Sequence, residues 1–288
     1  MEFTKMEATG NDFVIINDFE YKIEDYNNLA IKVCDRHFSV GADGMLVCVE
    51  SDKADIQMLY YNSDGSRGEM CGNGIRCFSK YVYEEGIVNE KMFTVETLGG
   101  VKTIWLYTDE EDNVELVKVN MGRPVFNSKD IPVHIDREKV LEETIEIDGR
   151  QIVFSSVLVG VPHTVIFVDN MEDININQLG RSLEEYSIFP NKTNVNFIEV
   201  IDKNRINIYT WERGAGRTLG CGTGSCAGVV IGNITNRLDE IVDVKTEGGK
   251  LQVELDENYR IYMKGGANRI CDGFFYNLTG LEVFRCRM

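Results

Sequence analysis

A five-residue phrase occurs twice in this chain. Met70-Cys71-Gly72-Asn73-Gly74 is answered 150 residues later by Gly220-Cys221-Gly222-Thr223-Gly224. Two further matches keep the spacing. Val95-Glu96-Thr97-Leu98-Gly99-Gly100 and Val244-Lys245-Thr246-Glu247-Gly248-Gly249 share the pattern V-x-T-x-G-G at an offset of 149. Val14-Ile15-Ile16-Asn17-Asp18 faces Val165-Ile166-Phe167-Val168-Asp169 at an offset of 151. The last match alone carries little, because β-branched runs are common in strands. Three matches in order, at a nearly constant offset, mark a duplication. The period is too long for a solenoid, whose repeats run to about 20–50 residues. It predicts two related domains whose matching faces meet, bringing Cys71 and Cys221 together in an interdomain cleft, a common place for ligand sites.

The pattern of each half predicts a mixed α/β fold of the α+β kind, dominated by strands. Helix-like runs are few: Tyr26–Cys34, Gly74–Glu85, Arg181–Tyr186 and Gly224–Arg237. The run Ser225-Cys226-Ala227-Gly228-Val229-Val230-Ile231-Gly232 is apolar or small all round, and Ile75–Val82 carries few charges. Helices without a polar face are buried. Each domain is therefore expected to wrap a barrel-like sheet around one central helix.

A net charge of −17 argues against nucleic acid as a partner, since phosphate contacts need clustered Lys and Arg. No apolar run approaches the roughly 20 residues of a membrane span. The opening Met1-Glu2-Phe3-Thr4-Lys5 lacks a signal-peptide pattern, so a cytoplasmic protein without membrane partners is expected. Its eight cysteines then read as free thiols rather than a disulfide framework. His37, His134 and His163 are too scattered for a metal triad.

Each cysteine of the repeated phrase opens a helix-like run. A thiol there meets the positive end of the helix dipole and unpaired backbone N–H groups, which make it reactive. One such thiol per domain supplies a proton acceptor on one side of a ligand and a donor on the other, the equipment for inverting a stereocentre. Gly72, Asn73 and Gly74 on one side, and Gly222, Thr223 and Gly224 on the other, form cradles of backbone N–H groups that suit a carboxylate. The same groups would stabilise the enediolate formed on losing the α-proton. A second cluster, Trp211 to Thr218, sets Glu212 beside Arg213 in a glycine-rich loop able to grip a zwitterion. Asn62, alone, reads as an ordinary turn residue. Two competing interpretations stay open on the residues alone. The cysteines could ligate metal, although the spacings Cys71-x5-Cys77 and Cys221-x4-Cys226 are not those of common zinc sites, or they could serve thiol redox chemistry.

Several stretches together resemble the diaminopimelate epimerase family. They are Lys5-Met6-Glu7-Ala8-Thr9-Gly10-Asn11-Asp12-Phe13, the run Asp35 to Gly44, Asn62 to Ser66, and Met70 to Cys77. Pro162-His163, Phe189-Pro190 with Asn194-Val195-Asn196-Phe197, and Glu212 to Gly224 complete the set. The resemblance implies two pseudosymmetric domains, 1–124 and 125–267, with 268–288 returning to the first. It implies Cys71 and Cys221 as the acid–base pair, no cofactor, no metal, an amino-acid substrate and a homodimer. It places the reacting centre at Gly72, Asn73, Gly74, Gly222 and Thr223, with His163 and Glu212 nearby. The far end of the substrate falls to Asn11, Asn62, Asn194, Glu212 and Arg213. The implied reaction interconverts LL- and meso-diaminopimelate for lysine and peptidoglycan precursor synthesis. Three positions depart from the family pattern. Val161 replaces an Asn, Arg217 reverses the charge of a Glu, and Glu7 replaces a His. Val161 opens the alternative of a racemase of the same fold acting on another amino acid, such as histidine.

Overall fold

The computed structural model describes residues 1–20 and 22–276. Cys286 and the last part of the segment expected to return, 277–288, lie outside the described residues. The described residues divide into two compact units, residues 1–119 with residues 265–276, and residues 120–264. In chain order the elements begin β1 (Glu2–Ala8), β2 (Asn11–Asn17), α1 (Tyr26–Val33), β3 (Gly44–Val49), β4 (Ile56–Asn62), β5 (Arg67–Gly68), α2 (Gly72–Glu84), β6 (Met92–Thr97), β7 (Gly100–Thr108) and β8 (Val114–Gly122). They continue as β9 (Glu143–Ile147), β10 (Arg150–Val159), β11 (Val161–Val168), α3 (Ile176–Glu184), β12 (Asn194–Asp202), β13 (Arg205–Glu212), β14 (Gly216–Thr218), α4 (Gly222–Ile234), β15 (Ile241–Lys245), β16 (Lys250–Leu255), β17 (Ile261–Gly265) and β18 (Asn268–Phe274).

The duplication is visible in the pairing. In the first unit β1 and β2 are antiparallel, β2 and β3 parallel, β3 and β4 antiparallel. β4 then takes β5 antiparallel and β6 parallel, and β6 turns back into β7. The second unit repeats every step with β10, β11, β12, β13, β14, β15 and β16. β18 adds to the first unit as an antiparallel neighbour of β1.

Each unit is organised around one of the two motif helices. α2 packs on β1, β2, β3, β4 and β7, and α4 on β10, β11, β12, β13 and β16. α4 is buried from Gly224 through Gly232, as its lack of a polar face predicts. Gly228 is required by that packing, since a Cβ there would stand 2.4 Å from Ile198 Cδ1. α1 and α3 cover second apolar clusters. The first joins Leu29 and Val33 to Val14, Met45 and Val47, and the second joins Ile176 and Leu183 to Phe154, Phe189 and Phe197. Among the described residues no helix is long and apolar enough to cross a membrane.

The V-x-T-x-G-G repeat has a local cause. Thr97 and Thr246 each donate their hydroxyl to the carbonyl of the second glycine, Gly100 and Gly249, at 2.7 and 3.1 Å, closing the β6–β7 and β15–β16 hairpins. The first glycine of each turn then reaches toward the cysteine motif. Gly99 N donates to Glu69 O at 2.9 Å and Gly248 N to Leu219 O at 2.6 Å. Each hairpin thus holds the chain two residues before its cysteine.

Several helix limits differ from expectation. α2 and α4 begin at Gly72 and Gly222, because the cysteines themselves are the N-caps. α4 stops at Ile234 rather than Arg237, because Asn236 turns left-handed (φ 59°) and Thr235 Oγ1 bonds Ile231 O. α3 begins at Ile176 rather than Arg181, capped by the Asn175 side chain on Gln178 N. Polar Asn177 and Gln178 in its first turn hide that start from apolar periodicity.

Candidate active site

The two motif cysteines adopt nearly the same conformation. Cys71 (φ −132°, ψ 122°) and Cys221 (φ −113°, ψ 115°) are extended N-cap residues whose sulfurs each accept Gly74 N or Gly224 N at 3.4 Å. Their carbonyls accept the first helical bonds from Ile75 N and Ser225 N, both at 2.9 Å. An N-cap side chain normally supplies oxygen to an unpaired helix N–H. Here sulfur does so, and each thiol sits at the positive end of a buried helix.

In the first unit, Asn11 opens β2 and stands over Cys71. Its Nδ2 donates to Asp43 Oδ2 at 2.9 Å, which leaves Oδ1 facing Cys71 Sγ at 3.7 Å. Asp43 is held by Arg36, which also takes both oxygens of Asp12 at 2.7 and 3.1 Å. Asp12 completes the network with buried Lys5 at 2.6 Å, and Lys5 also donates to Gly41 O. Burial would raise the Asp12 carboxyl, but the bonds from Arg36 and Lys5 outweigh it and hold it well below the carboxylate range. Asn73 is buried, its Oδ1 accepting from Thr9 Oγ1 at 3.0 Å. Behind it the fully buried Arg76 donates to Gly72 O, Thr9 Oγ1 and Gly266 O at 3.1, 3.3 and 3.2 Å. Asn62 is bonded within its own turn, to Ser66 Oγ and from Tyr60 OH. Glu7 caps the β1–β2 turn through Gly10 N and accepts from Asn268.

In the second unit, Cys221 Sγ lies 3.4 Å from Thr223 Oγ1. His163, on β11, is fully buried, and its Nδ1 meets Asn196 Nδ2 at 3.2 Å. An amide nitrogen can only donate, so Nδ1 accepts and the ring proton sits on Nε2, which has no partner among the described residues. Burial, with the nearby charge of Arg213 second, pushes His163 down to about 3 and keeps it neutral. Asn196 Oδ1 accepts from Thr210 Oγ1 at 3.2 Å and abuts Gly224, tying His163 to the cap of Cys221. Glu212 ends β13 and accepts from Thr218 Oγ1 at 2.6 Å. Asn194 opens β12, accepts from Arg213 N at 2.9 Å and donates to Pro162 O at 2.8 Å. Arg213 Nη1 reaches Asn191 O at 3.0 Å.

Thus Asn11, Cys71, Gly72, Asn73 and Gly74 form one cluster, with Asn62 held in its own turn. His163, Asn194, Glu212, Arg213, Cys221, Gly222 and Thr223 lie on adjoining elements of the other unit. Among the described residues, no group of three or more His, Cys, Asp or Glu side chains is disposed to hold a metal ion.

The diaminopimelate epimerase family model matches residues 3–127 and 155–270. Proteins named diaminopimelate epimerase are 47% identical in Alkaliphilus metalliredigens, over 96% of this chain and 98% of that protein, and 45% in Clostridium perfringens, over 96% and 99%. The chain belongs to the diaminopimelate epimerase family. The fold extends beyond it. A crystal structure of a probable proline racemase from Agrobacterium radiobacter aligns with a TM-score of 0.74 at 15% identity, over 98% of this chain and 94% of that one. A hydroxyproline epimerase from Agrobacterium vitis gives 0.70 at 12%, over 95% and 91%.

Within the diaminopimelate epimerase frame, the departures now have surroundings. Val161 is half-buried at the start of β11, opposite Val159 across the hairpin. Arg217 is engaged elsewhere in its own unit. Its guanidinium forms a fork with Glu247 at 2.7 and 3.0 Å and lies 5.2 Å from the centre of the Tyr209 ring. Further buried polar residues lie beside these groups within each unit, Thr9 in the first and Asn196, Thr210 and Glu184 in the second. Thr9, Asn196 and Thr210 had no signal of their own beyond polar character within an apolar strand or motif, and Glu184, in a Glu-Glu pair on a short helix, resembled a solvated face.

Proposed function

We propose that this protein is a diaminopimelate epimerase that interconverts the LL and meso isomers by proton transfer between Cys71 and Cys221. The pair of sulfur N-caps supports this most directly. Each puts a thiol and a row of helix N–H groups at one point, which suits a carboxylate and the α-carbon next to it. One sulfur, as thiolate, takes the α-proton, and the electron pair of the C–H bond passes into the carboxylate as an enediolate. Helix N–H groups at Gly72, Asn73, Gly222 and Thr223 stabilise that charge, those of Gly74 and Gly224 being given to the two sulfurs. The other thiol delivers its proton to the opposite face. The configuration inverts, and the two sulfurs exchange protonation states. His163 stays neutral and adds no charge beside the reacting centre. Asn11, Asn62, Asn194, Glu212 and Arg213 hold the far ammonium and carboxylate, with Glu212 on the former and Arg213 on the latter.

The product would feed lysine and peptidoglycan precursor synthesis. The enzyme would work in the cytoplasm, where thiols stay reduced, as the family's homodimer. The deciding experiment measures α-proton exchange in D2O with LL-diaminopimelate and with single amino acids including histidine. Exchange and interconversion of the diaminopimelate isomers are expected. Exchange with histidine and none with diaminopimelate would overturn the assignment. A monomeric mass by light scattering would remove the dimer.

A further inference from the structure

Glu184 is a buried carboxylate that the thiol chemistry does not use. It ends α3 and its side chain is 6% exposed. Three donors from different parts of the unit converge on it: Trp211 Nε1 at 2.7 Å, Gly214 N at 3.1 Å and Lys192 Nζ at 3.2 Å. Burial would raise its carboxyl, but the bonds from Trp211, Gly214 and Lys192 outweigh this and hold it below its ordinary value. The helix is fitted to the indole it binds. A Cβ on Gly180 would stand 2.7 Å from Trp211 Cβ and Cγ, so glycine lets α3 lie flat against that side chain.

The two residues flanked by these anchors are Glu212 and Arg213. Trp211 precedes them and Gly214 follows them, and Asn194 Oδ1 takes the Arg213 N–H between. The corresponding turn of the first unit is held differently. There α1 donates the Asn27 amide to Gly65 O at 2.8 Å, and the turn carries Asn62 rather than a charged pair. The anionic anchor therefore accompanies the charged turn. We infer that Glu184 is the positioning residue of the Glu212–Arg213 turn, fixing through Trp211 and the Gly214 amide the two groups that grip the zwitterionic far end of the substrate. This rests on the proposed assignment of Glu212 and Arg213 to that end.

The test compares Glu184→Ala, Glu184→Gln and Arg213→Ala in the full-length enzyme, by steady-state LL-diaminopimelate epimerisation and by iodoacetamide alkylation of Cys221 without substrate. Displacing a gripping group by an ångström can cost about a hundredfold. Glu184→Ala is expected to raise KM by about tenfold or more while kcat stays within about threefold and the alkylation rate within about twofold. Glu184→Gln keeps one acceptor oxygen and should fall between. If Glu184→Ala does not fold, Glu184→Gln carries the test alone, with a KM rise of several-fold expected. An unchanged KM in whichever variant folds overturns the proposal. So does a loss of kcat and alkylation with KM unmoved, which would mark a general structural role. Arg213→Ala separates the two ideas. If it leaves KM unmoved, the far-end assignment fails. If it raises KM while the Glu184 variants do not, the positioning proposal alone fails.

Discussion

The N-termini of α2 and α4 share a backbone and differ in what surrounds it. Both are capped by sulfur, both accept the glycine N–H three residues on, and both are held from behind by a Thr-closed hairpin. The surroundings diverge. Cys71 faces an amide oxygen, Asn11 Oδ1, which can only accept, while Cys221 faces the Thr223 hydroxyl, which can donate or accept. Five residues into the motif, the first helix buries Arg76 where the second has Cys226. The duplicated element is therefore the cap itself, with its glycine and its supporting hairpin. A cation at that place is not required by the fold, since α4 is built without one.

The shared caps set the largest effect. If both thiols transfer protons, Cys71→Ser and Cys221→Ser should each lower kcat by about 10²–10⁴-fold in both directions of epimerisation. Retained turnover in either variant, followed by circular dichroism, would reduce the pair to a single base. The unshared Arg76 comes next. Arg76→Met takes a donor from Gly72 O, Gly266 O and Thr9 Oγ1, and leaving buried acceptors short of a donor costs about 1–3 kcal/mol. Urea denaturation should show a loss of that order. Cys226→Ala, at the matching place, should cost less, about 1 kcal/mol, as a small cavity.

The strands beneath the caps differ in the charge they bury. At matching positions of the repeat stand Asp12, ionised between Arg36 and Lys5, and His163, neutral in its burial. Both have folded-state values below their unfolded ones, and so both lose stability as pH falls. The windows differ. His163 begins to cost stability below its unfolded value near 6.5 and continues down to about 3. Asp12 contributes its full stabilisation above about 4 and loses it only below that. Between pH 7.5 and pH 5, His163 should therefore account for about 2 kcal/mol of lost stability and Asp12 for almost none. Denaturation midpoints of His163→Asn at the two pH values should lack that part of the fall.

The repeat, the motif helices and the sulfur caps could be read from residue order, because they depend on local spacing and on glycine. V-x-T-x-G-G was legible as a pattern but not as a cause, since the Thr hydroxyl and the glycine N–H act across a hairpin and onto a different strand. Glu184 was not legible for a different reason. Nothing in Leu183-Glu184-Glu185-Tyr186 says which of two adjacent acids is turned inward, and only the packing of Gly180 on Trp211 decides it. The start of α3 at Ile176 lies five residues before Arg181, where a helical pattern becomes visible, because its Asn cap and polar first turn look like loop.

The cap glycines of the two units differ in how much room they have. A Cβ on Gly74 would meet Cys71 Cβ and Leu46 Cδ2 at 3.3 Å, a contact that small movements relieve. A Cβ on Gly224 would lie 2.2 Å from Asn196 Oδ1, and that side chain is pinned by Thr210, His163 and Thr164. Gly224→Ala should therefore cost about 1–3 kcal/mol, and Gly74→Ala under about 1 kcal/mol. Equal losses by thermal melting would show that Asn196 yields more easily than its three partners suggest.

The smallest effect concerns Arg217, which stands where the family pattern has a Glu. Its guanidinium is engaged by both oxygens of Glu247 and by the Tyr209 ring, on a surface where Arg217 keeps 39% of its side chain exposed and Glu247 22%. Exposed pairs of this kind contribute about 0.2–1 kcal/mol. The pair ties β14 to the hairpin that also holds Leu219, so its role is to brace the approach to Cys221 in the second unit. The first unit has Arg67 and Leu98 at the matching places, and no fork can form between those two. Arg217→Ala and Glu247→Ala should each lower stability by under about 1 kcal/mol, and the double variant by less than their sum. KM for LL-diaminopimelate should stay within about twofold in Arg217→Ala, because a guanidinium already committed to Glu247 is not offered to a ligand. A tenfold rise in KM would place Arg217 among the substrate's partners and make the charge reversal a change in recognition.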